Sequence, residues 1–191
     1  MVRALLDGSK TQTRRAFSTR MIDLMYTAAH AGEVSYFVDN GELAPNDHDY
    51  VVDFCPYGQP GDKLWVRETH SFVPDGEEPA GCSAILYAAD GQQYGKLRPS
   101  IHMPRWASRI LLEIVNVRVE RLSDCSNEDA RAEGVMPLYA NRCVEAGHAY
   151  NAIPLFRNLW ESINGSGSWD ANPWVWVIEF RRIEPAAQEA A

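Results

Sequence analysis

The chain has 191 residues, 46% hydrophobic and 23% charged, with 26 acids against 18 bases for a formal net charge of −8. That length suits one domain with insertions, and the apolar share is enough for a core. The negative balance repels phosphate, which argues against a protein that coats long nucleic acid by counterion release, but leaves room for a small cationic pocket. Cys55, Cys82, Cys125 and Cys143 are irregularly spaced without a CxxC pair, so neither a zinc ribbon nor a disulfide scaffold is indicated. The first residues lack the apolar core of a signal peptide, and no apolar run approaches the ~18 residues of a membrane span. These features lead us to expect a soluble, cytoplasmic protein with no membrane contact (host cytoplasm if the chain is phage-encoded).

In chain order, Met1–Asp7 reads as a short helix stopped by Gly8, and "TQTRRAF" as an extended segment. "STRMIDLMYTAAHAG" is a second helix, with Met21, Leu24, Met25 and Ala28 at helical spacing and Gly32 as its stop. From "VSYFVDNGELAP" to "DYVVDFCPYGQPGD" the pattern is strands broken by turns, with "DNG" as a hairpin turn and "GQPGD" as a tight bend. "KLWVRETHSF" reads as one strand. Leu64, Val66, Glu68 and His70 share one face, and Trp65, Arg67 and Thr69 the other.

"SAILYAADG" follows as a strand ending in an Asp-Gly turn. "PSIHMPRWASR" is a proline-bracketed loop that runs into the longest strand, "RILLEIVNVRVERL". "SNEDARAEGV" starts as a capped helix, Ser126 reaching the amide of Asp129, with acids in the first turn and Gly134 at the end. Residues 136–150 read as a loop or insertion. "AIPLFRNLWESING" is an amphipathic helix with Leu155, Leu159, Trp160 and Ile163 as its stripe, and "NPWVWVIEFRRI" is a closing strand. Strands interleaved with a few helices, without a repeating βαβ order, favour a small mixed barrel. No glycine-rich phosphate loop follows a strand, so a dinucleotide or P-loop fold has no support.

Three stretches carry candidate chemistry. "GSKTQTRR" holds three cations and three hydroxyls, and residues 1–20 carry five bases against one acid. Lys10 and Thr13 are three apart, which permits a lysine base beside a threonine nucleophile, with Arg15 or backbone amides for the oxyanion. The same stretch also reads as a solvated basic turn. In "LWVRE", Trp65 and Arg67 can stack on and hydrogen-bond a base while Glu68 points the other way; an ordinary half-buried strand fits equally. In "SIHMPRW", His102, Arg105 and Trp106 combine a titratable group, a phosphate-binding fork and a stacking ring, against a crossover loop held by its prolines.

The pattern Gly8-x-Lys10-x-x-Thr13-x-Arg15 resembles the signature of the ASCH domain family, PUA-like β-barrels associated with RNA and nucleotide chemistry. "PGDKLWVRE", "PSIHMPRWASRILLEI" and "GSWDANPWVWVIEF" are similar, in this order, to segments of the larger phage- and prophage-encoded members. The resemblance implies an α+β fold: a PUA-like mixed β-barrel with short helices at the rim. It would be one domain over residues 1–185, with insertions at about 18–50 and 136–150 and a disordered tail at 186–191. In the bacterial member that hydrolyses N4-acetylcytidine, the site is the motif's lysine and threonine plus a glutamate on a later helix. Here those roles fall on Lys10, Thr13 and Glu133.

The resemblance therefore implies a hydrolase that cleaves an acyl amide on a modified nucleobase or nucleoside. Thr13 would be the nucleophile, Lys10 the base, and Glu133 a proton carrier or the group that orients the lysine. Substrate contacts would come from Arg15, Trp65, Arg67, Glu68, His102, Arg105 and Trp106, with no metal and no cofactor. The expected partner is a modified nucleoside or nucleotide. Two alternatives stand beside this reading: a module that binds RNA or a nucleotide without turnover, and a ribonuclease with His102 or Lys10 as base.

Overall fold

The computed structural model describes residues 1–32, 36–39, 42–45, 51–74, 76–77, 84–135 and 150–183. The expected turn at Asn40 and Gly41, most of the expected insertion, Cys82, Cys143 and the tail lie outside these residues. Helix α1 (Val2–Leu6) ends at Gly8, whose φ of 79° reverses the chain so that the Lys10 amide donates to Ala4 O at 2.9 Å. Strand β1 (Gln12–Ala16) and helix α2 (Thr19–His30) follow. Strands β2 (Tyr36–Asp39) and β3 (Glu42–Pro45) form their own antiparallel pair, with Asp39 opposite Glu42.

The remaining elements are β4 (Lys63–Trp65), β5 (His70–Phe72), β6 (Ile85–Tyr87), β7 (Leu111–Arg121), α3 (Asn127–Ala132), α4 (Ile153–Asn164) and β8 (Trp174–Ile183). The main sheet has the order β1-β8-β7-β4 and is antiparallel throughout. It curls as a half-barrel within an α+β fold. Where a mixed barrel was expected, each described strand pair is antiparallel and the sheet is open between β4 and β1. Its centre is the β7–β8 ladder, which runs along nearly the whole length of both strands, from Leu111 opposite Ile183 to Arg121 opposite Trp174.

A bulge at Val115 breaks the β7 alternation, so that Leu112 and Ile114 are buried before it and Val117 and Val119 after it. One face of the sheet carries Ile114, Val117, Val119, Trp176 and Ile178, packed with Phe17, Val51 and Cys55 and against Met21 and Met25 of α2. On the opposite face, Val175 and Val177 meet Ala130 of α3 and Phe156 and Trp160 of α4. Alternation along β8 divides the core between the two faces.

Three expectations are corrected here. "KLWVRETHSF" is two strands in different sheets. The ladder with β7 ends where Trp65 pairs with Leu111, the first residue of β7, so the chain leaves the main sheet and pairs again with β6. The buried stripe of α4 is Phe156 and Trp160, continuing the buried Ala152, whereas Ile163 is 56% exposed. Phe156 takes this place because its ring packs edge-on to Trp169 and beneath the Arg14 guanidinium. Val51 and Val52 are helical rather than extended. Among the described residues, no helix is long and apolar enough to cross a membrane.

Candidate functional site

Lys10 is buried, contrary to the reading of its stretch as a solvated turn; its side chain is 3% exposed. It sits between the turn at Gly8 and β1, opposite Glu133 in an isolated antiparallel bridge, and the Thr11 amide donates to Ala132 O at 2.9 Å. Its ammonium donates to Glu133 Oε2 at 2.8 Å, to Glu133 O at 3.0 Å and to Gln12 O at 2.8 Å. Three acceptors match the three N–H groups of a charged lysine. Burial pulls the Lys10 pKa below the ordinary value of 10.5, while the Glu133 carboxylate pushes it back up.

Glu133 reaches this position because α3 is anchored at both ends. Ser126 caps the amide of Asp129 at 3.0 Å, and Asp129 returns the bond to the Ser126 amide at 3.1 Å, a capping box. Gly134 then takes φ 79°, and a Cβ there would lie 2.8 Å from Lys10 Cβ and 2.9 Å from Ala4 Cβ. Glycine is therefore needed twice over, for the backbone angle and for the close approach of α3 to α1 and Lys10. Gly134→Ala should lower stability by about 1–3 kcal/mol. A midpoint in urea unchanged from wild type would show that the contact relaxes freely.

Around this pair lies a network that the sequence reading did not assemble. Arg14, with a fully buried side chain, donates from Nη2 to Glu120 at 2.5 Å, from Nη1 to Glu133 at 3.4 Å, and stands 3.4 Å from Asp129. Gln12 Nε2 donates to Asp129 Oδ1, and Arg118 bridges Glu120, Asp129 and Glu179. The strand period could have indicated it: Gln12 and Arg14 alternate with Thr13 and Arg15, and a polar side chain there must find partners if α3 covers it. Burial pushes the Asp129 carboxyl up, but the Ser126 hydrogen bonds, the Arg14 charge and Gln12 outweigh it and hold the pKa at about 2. Nearby Cys125 is pushed up to about 12, chiefly by burial, so its thiol is no nucleophile at neutral pH.

Thr13 is half-buried and lines a narrow cleft with Arg14, Arg15, Ala16, Glu133 and residues of α4. Four consecutive residues from both sides of the pleat share this lining, so the cleft runs along the free edge of β1. The Phe17 amide bonds to Trp174 O, which assigns the odd-numbered peptide groups of β1 to the ladder with β8. The even-numbered groups point to the free edge, where Gln12 O receives Lys10. The cleft has about 40 Å³, room for roughly three water-sized atoms.

The other sequence-derived candidates lie elsewhere. The exposed Arg67 stacks on Trp65 at 4.7 Å, on the β4 edge of the sheet. Glu68 is 1% exposed, and both its oxygens are taken by Arg109, at 3.0 and 2.9 Å. Arg109 also binds Asp90 at 2.6 Å, so Glu68 clamps the corner between β4 and β5 rather than facing an open pocket. His102, Arg105 and Trp106 are exposed on two 3₁₀ turns, and His102 lines a second cleft. Lys10 and Glu133 meet directly, and Glu133 and Thr13 line the cleft, but neither Lys10 nor the "SIHMPRW" residues do. Among the described residues, no group of three or more His, Cys, Asp or Glu side chains is arranged to hold a metal ion. No protein-family model, curated protein or solved structure matches the chain.

Proposed function

We propose that the chain is a PUA-like, ASCH-type hydrolase that removes a small acyl group from the exocyclic amine of a modified nucleobase or nucleoside, with N4-acetylcytidine as the reference substrate. The observation that carries this reading is the buried Lys10–Glu133 contact at 2.8 Å, beside a cleft that Thr13 borders. A cleft of about 40 Å³ suits the three heavy atoms of an acetyl group, leaving the base at its mouth near Arg15 and Asn164.

Loss of one Lys10 proton to solvent, with Glu133 orienting the group, leaves a neutral amine. That amine takes the Thr13 hydroxyl proton as the oxygen attacks the acyl carbonyl. An edge-facing amide of β1 holds the oxyanion. The C–N bond then breaks, Lys10 returns the proton to the leaving amine, and water hydrolyses the threonine ester to release the carboxylic acid. Incubation with N4-acetylcytidine should release cytidine, with a rate that rises with pH along a limb lying below the ordinary lysine value of 10.5, as the lowered Lys10 pKa requires.

A second reading is favoured by one observation. All three N–H groups of Lys10 are already engaged, as in an ion pair that serves the fold alone. The chain would then be an RNA- or nucleotide-binding module without turnover. No release from any acylated nucleoside at high enzyme concentration, combined with nucleic-acid binding, would select it.

A further inference from the structure

The longest stretch of the acidic chain without an acid is 91–112. Between Asp90 and Glu113 lie Lys96, Arg98, Arg105 and Arg109, and no Asp or Glu. Arg109 is occupied by Glu68 and Asp90, whereas Lys96, Arg98 and Arg105 are exposed. The structure folds this stretch against β5, where Arg98 and His70 exchange backbone hydrogen bonds at 2.7 and 3.2 Å. The result is an open cleft of about 680 Å³, lined by Phe72, Tyr94, Lys96, Arg98 and His102, among others. That volume lies in the range of roughly 300–1,000 Å³ typical of small-molecule clefts. It shares no lining residue with the cleft along β1 among the described residues.

Its wall is aromatic as well as cationic. The Arg98 guanidinium lies 4.9 Å from the Phe72 ring centre, and Trp106, which adjoins the cleft at its rim without lining it, tilts against Phe72 at 5.9 Å. His70 packs edge-on to Phe72 at 5.0 Å and fixes it from the buried side. Trp106 is 71% exposed and Tyr94 40%, the latter tied to Glu77 through its hydroxyl. A large exposed ring at the rim of a cleft lined by Lys96 and Arg98 offers stacking to a flat base, and the cleft offers charge to a phosphate.

We propose that this cleft is a nucleotide-binding subsite that takes a base-and-phosphate unit of single-stranded nucleic acid. The base stacks on Trp106 or Tyr94, and the phosphate sits between Arg98 and Lys96. This inference stands apart from hydrolysis at Lys10, since it uses none of the same side chains. The charge pattern makes it compatible with the acidic remainder of the chain: only a short strand segment is bound locally, and a long duplex is repelled.

The test uses the whole chain and a 5′-labelled ten-nucleotide oligouridylate, read by fluorescence anisotropy over a salt series. Trp106→Ala should weaken binding by about 5- to 100-fold, and Trp106→Phe should restore most of it. Arg98→Gln should lower the slope of log K against log salt by about 0.7, the loss of one phosphate contact on a single strand. Uridine monophosphate should compete at higher concentration, because it carries the same base-and-phosphate unit. A ten-base-pair duplex should not compete, because its bases are not available for stacking. The proposal is overturned if the wild-type chain does not bind the oligomer, if the duplex binds as well, or if Trp106→Ala and Arg98→Gln bind as wild type. Cytidine release from N4-acetylcytidine, measured on the same variants, should be unchanged, which separates failure of this site from failure of the hydrolase reading.

Discussion

Arg14→Met is expected to be the most destabilising single substitution in the chain, with a loss of roughly 3–5 kcal/mol. The Arg14 side chain is fully buried and faces Glu120, Asp129 and Glu133, whose mutual repulsion it offsets. Burial works against its charge, but the Glu120 and Glu133 carboxylates around it outweigh that and raise its pKa. Methionine fills much of the volume and leaves the carboxylates without their shared cation. Arg14→Lys should fall between the two, since an ammonium keeps the charge but not the fork that spans Glu120 and Glu133.

The pH dependence has a definite sign. Asp129 has a folded pKa of about 2 against an ordinary 3.8, so its contribution to stability is present above about pH 4 and is lost as the pH falls through 2. Arg14 supplies part of that depression, so the gap between wild type and Arg14→Met should narrow as the pH drops across this window. Urea unfolding at pH 7 and pH 3 measures both effects. A loss below about 1 kcal/mol at pH 7 would mean that the network rearranges around the vacancy.

Much of the frame was legible before any coordinates. The segments "TQTRRAF" and "NPWVWVIEF" form strands β1 and β8, the Ser126 cap forms as its spacing required, and Gly8 and Gly134 both adopt positive φ. These features are local, and local sequence chemistry determines them. What was not legible depends on partners distant in sequence. "KLWVRETHSF" alternates well enough to be one strand, but strand β7 begins at Leu111, and past Trp65 the chain keeps one bond to that side, Val66 N–H to Ile110 O at 3.0 Å, before pairing with β6. The α4 stripe was misplaced for the same reason: two faces are apolar enough, and the position of Arg14 and Trp169 decides between them.

The site shows the same division. Lys10 and Glu133 are 123 residues apart and were linked only through the family resemblance, yet they meet at 2.8 Å. Composition gave no hint of the surrounding carboxylates. Arg14 reads as one more cation in a basic run until alternation places it on the face that α3 covers. The "SIHMPRW" loop was assigned to the same cavity because its chemistry suits a nucleotide. Its chemistry still does, but its proline-bounded turns carry it to the β5 side of the molecule.

The largest expected effect on activity comes from Thr13→Val, with turnover of N4-acetylcytidine falling by at least about 10³-fold. Valine keeps the β-branched shape that suits strand β1 and removes only the hydroxyl, so the midpoint of thermal unfolding should stay close to wild type. Lys10→Arg probes the other half of the pair. Arginine keeps the cation facing Glu133 but is not deprotonated at accessible pH, so it cannot take the threonine proton. Its extra bulk beside Gly134 should cost about 1–3 kcal/mol through overpacking, which makes a folding check necessary before the rate is read. In a folded Lys10→Arg protein, turnover should be lost and the rise of rate with pH should vanish with it. If turnover survives with its pH limb intact, Lys10 is not the base and serves only to neutralise Glu133. If Thr13→Val retains full activity, the threonine is not the nucleophile, and any hydrolysis must proceed by direct attack of water at the free edge of β1.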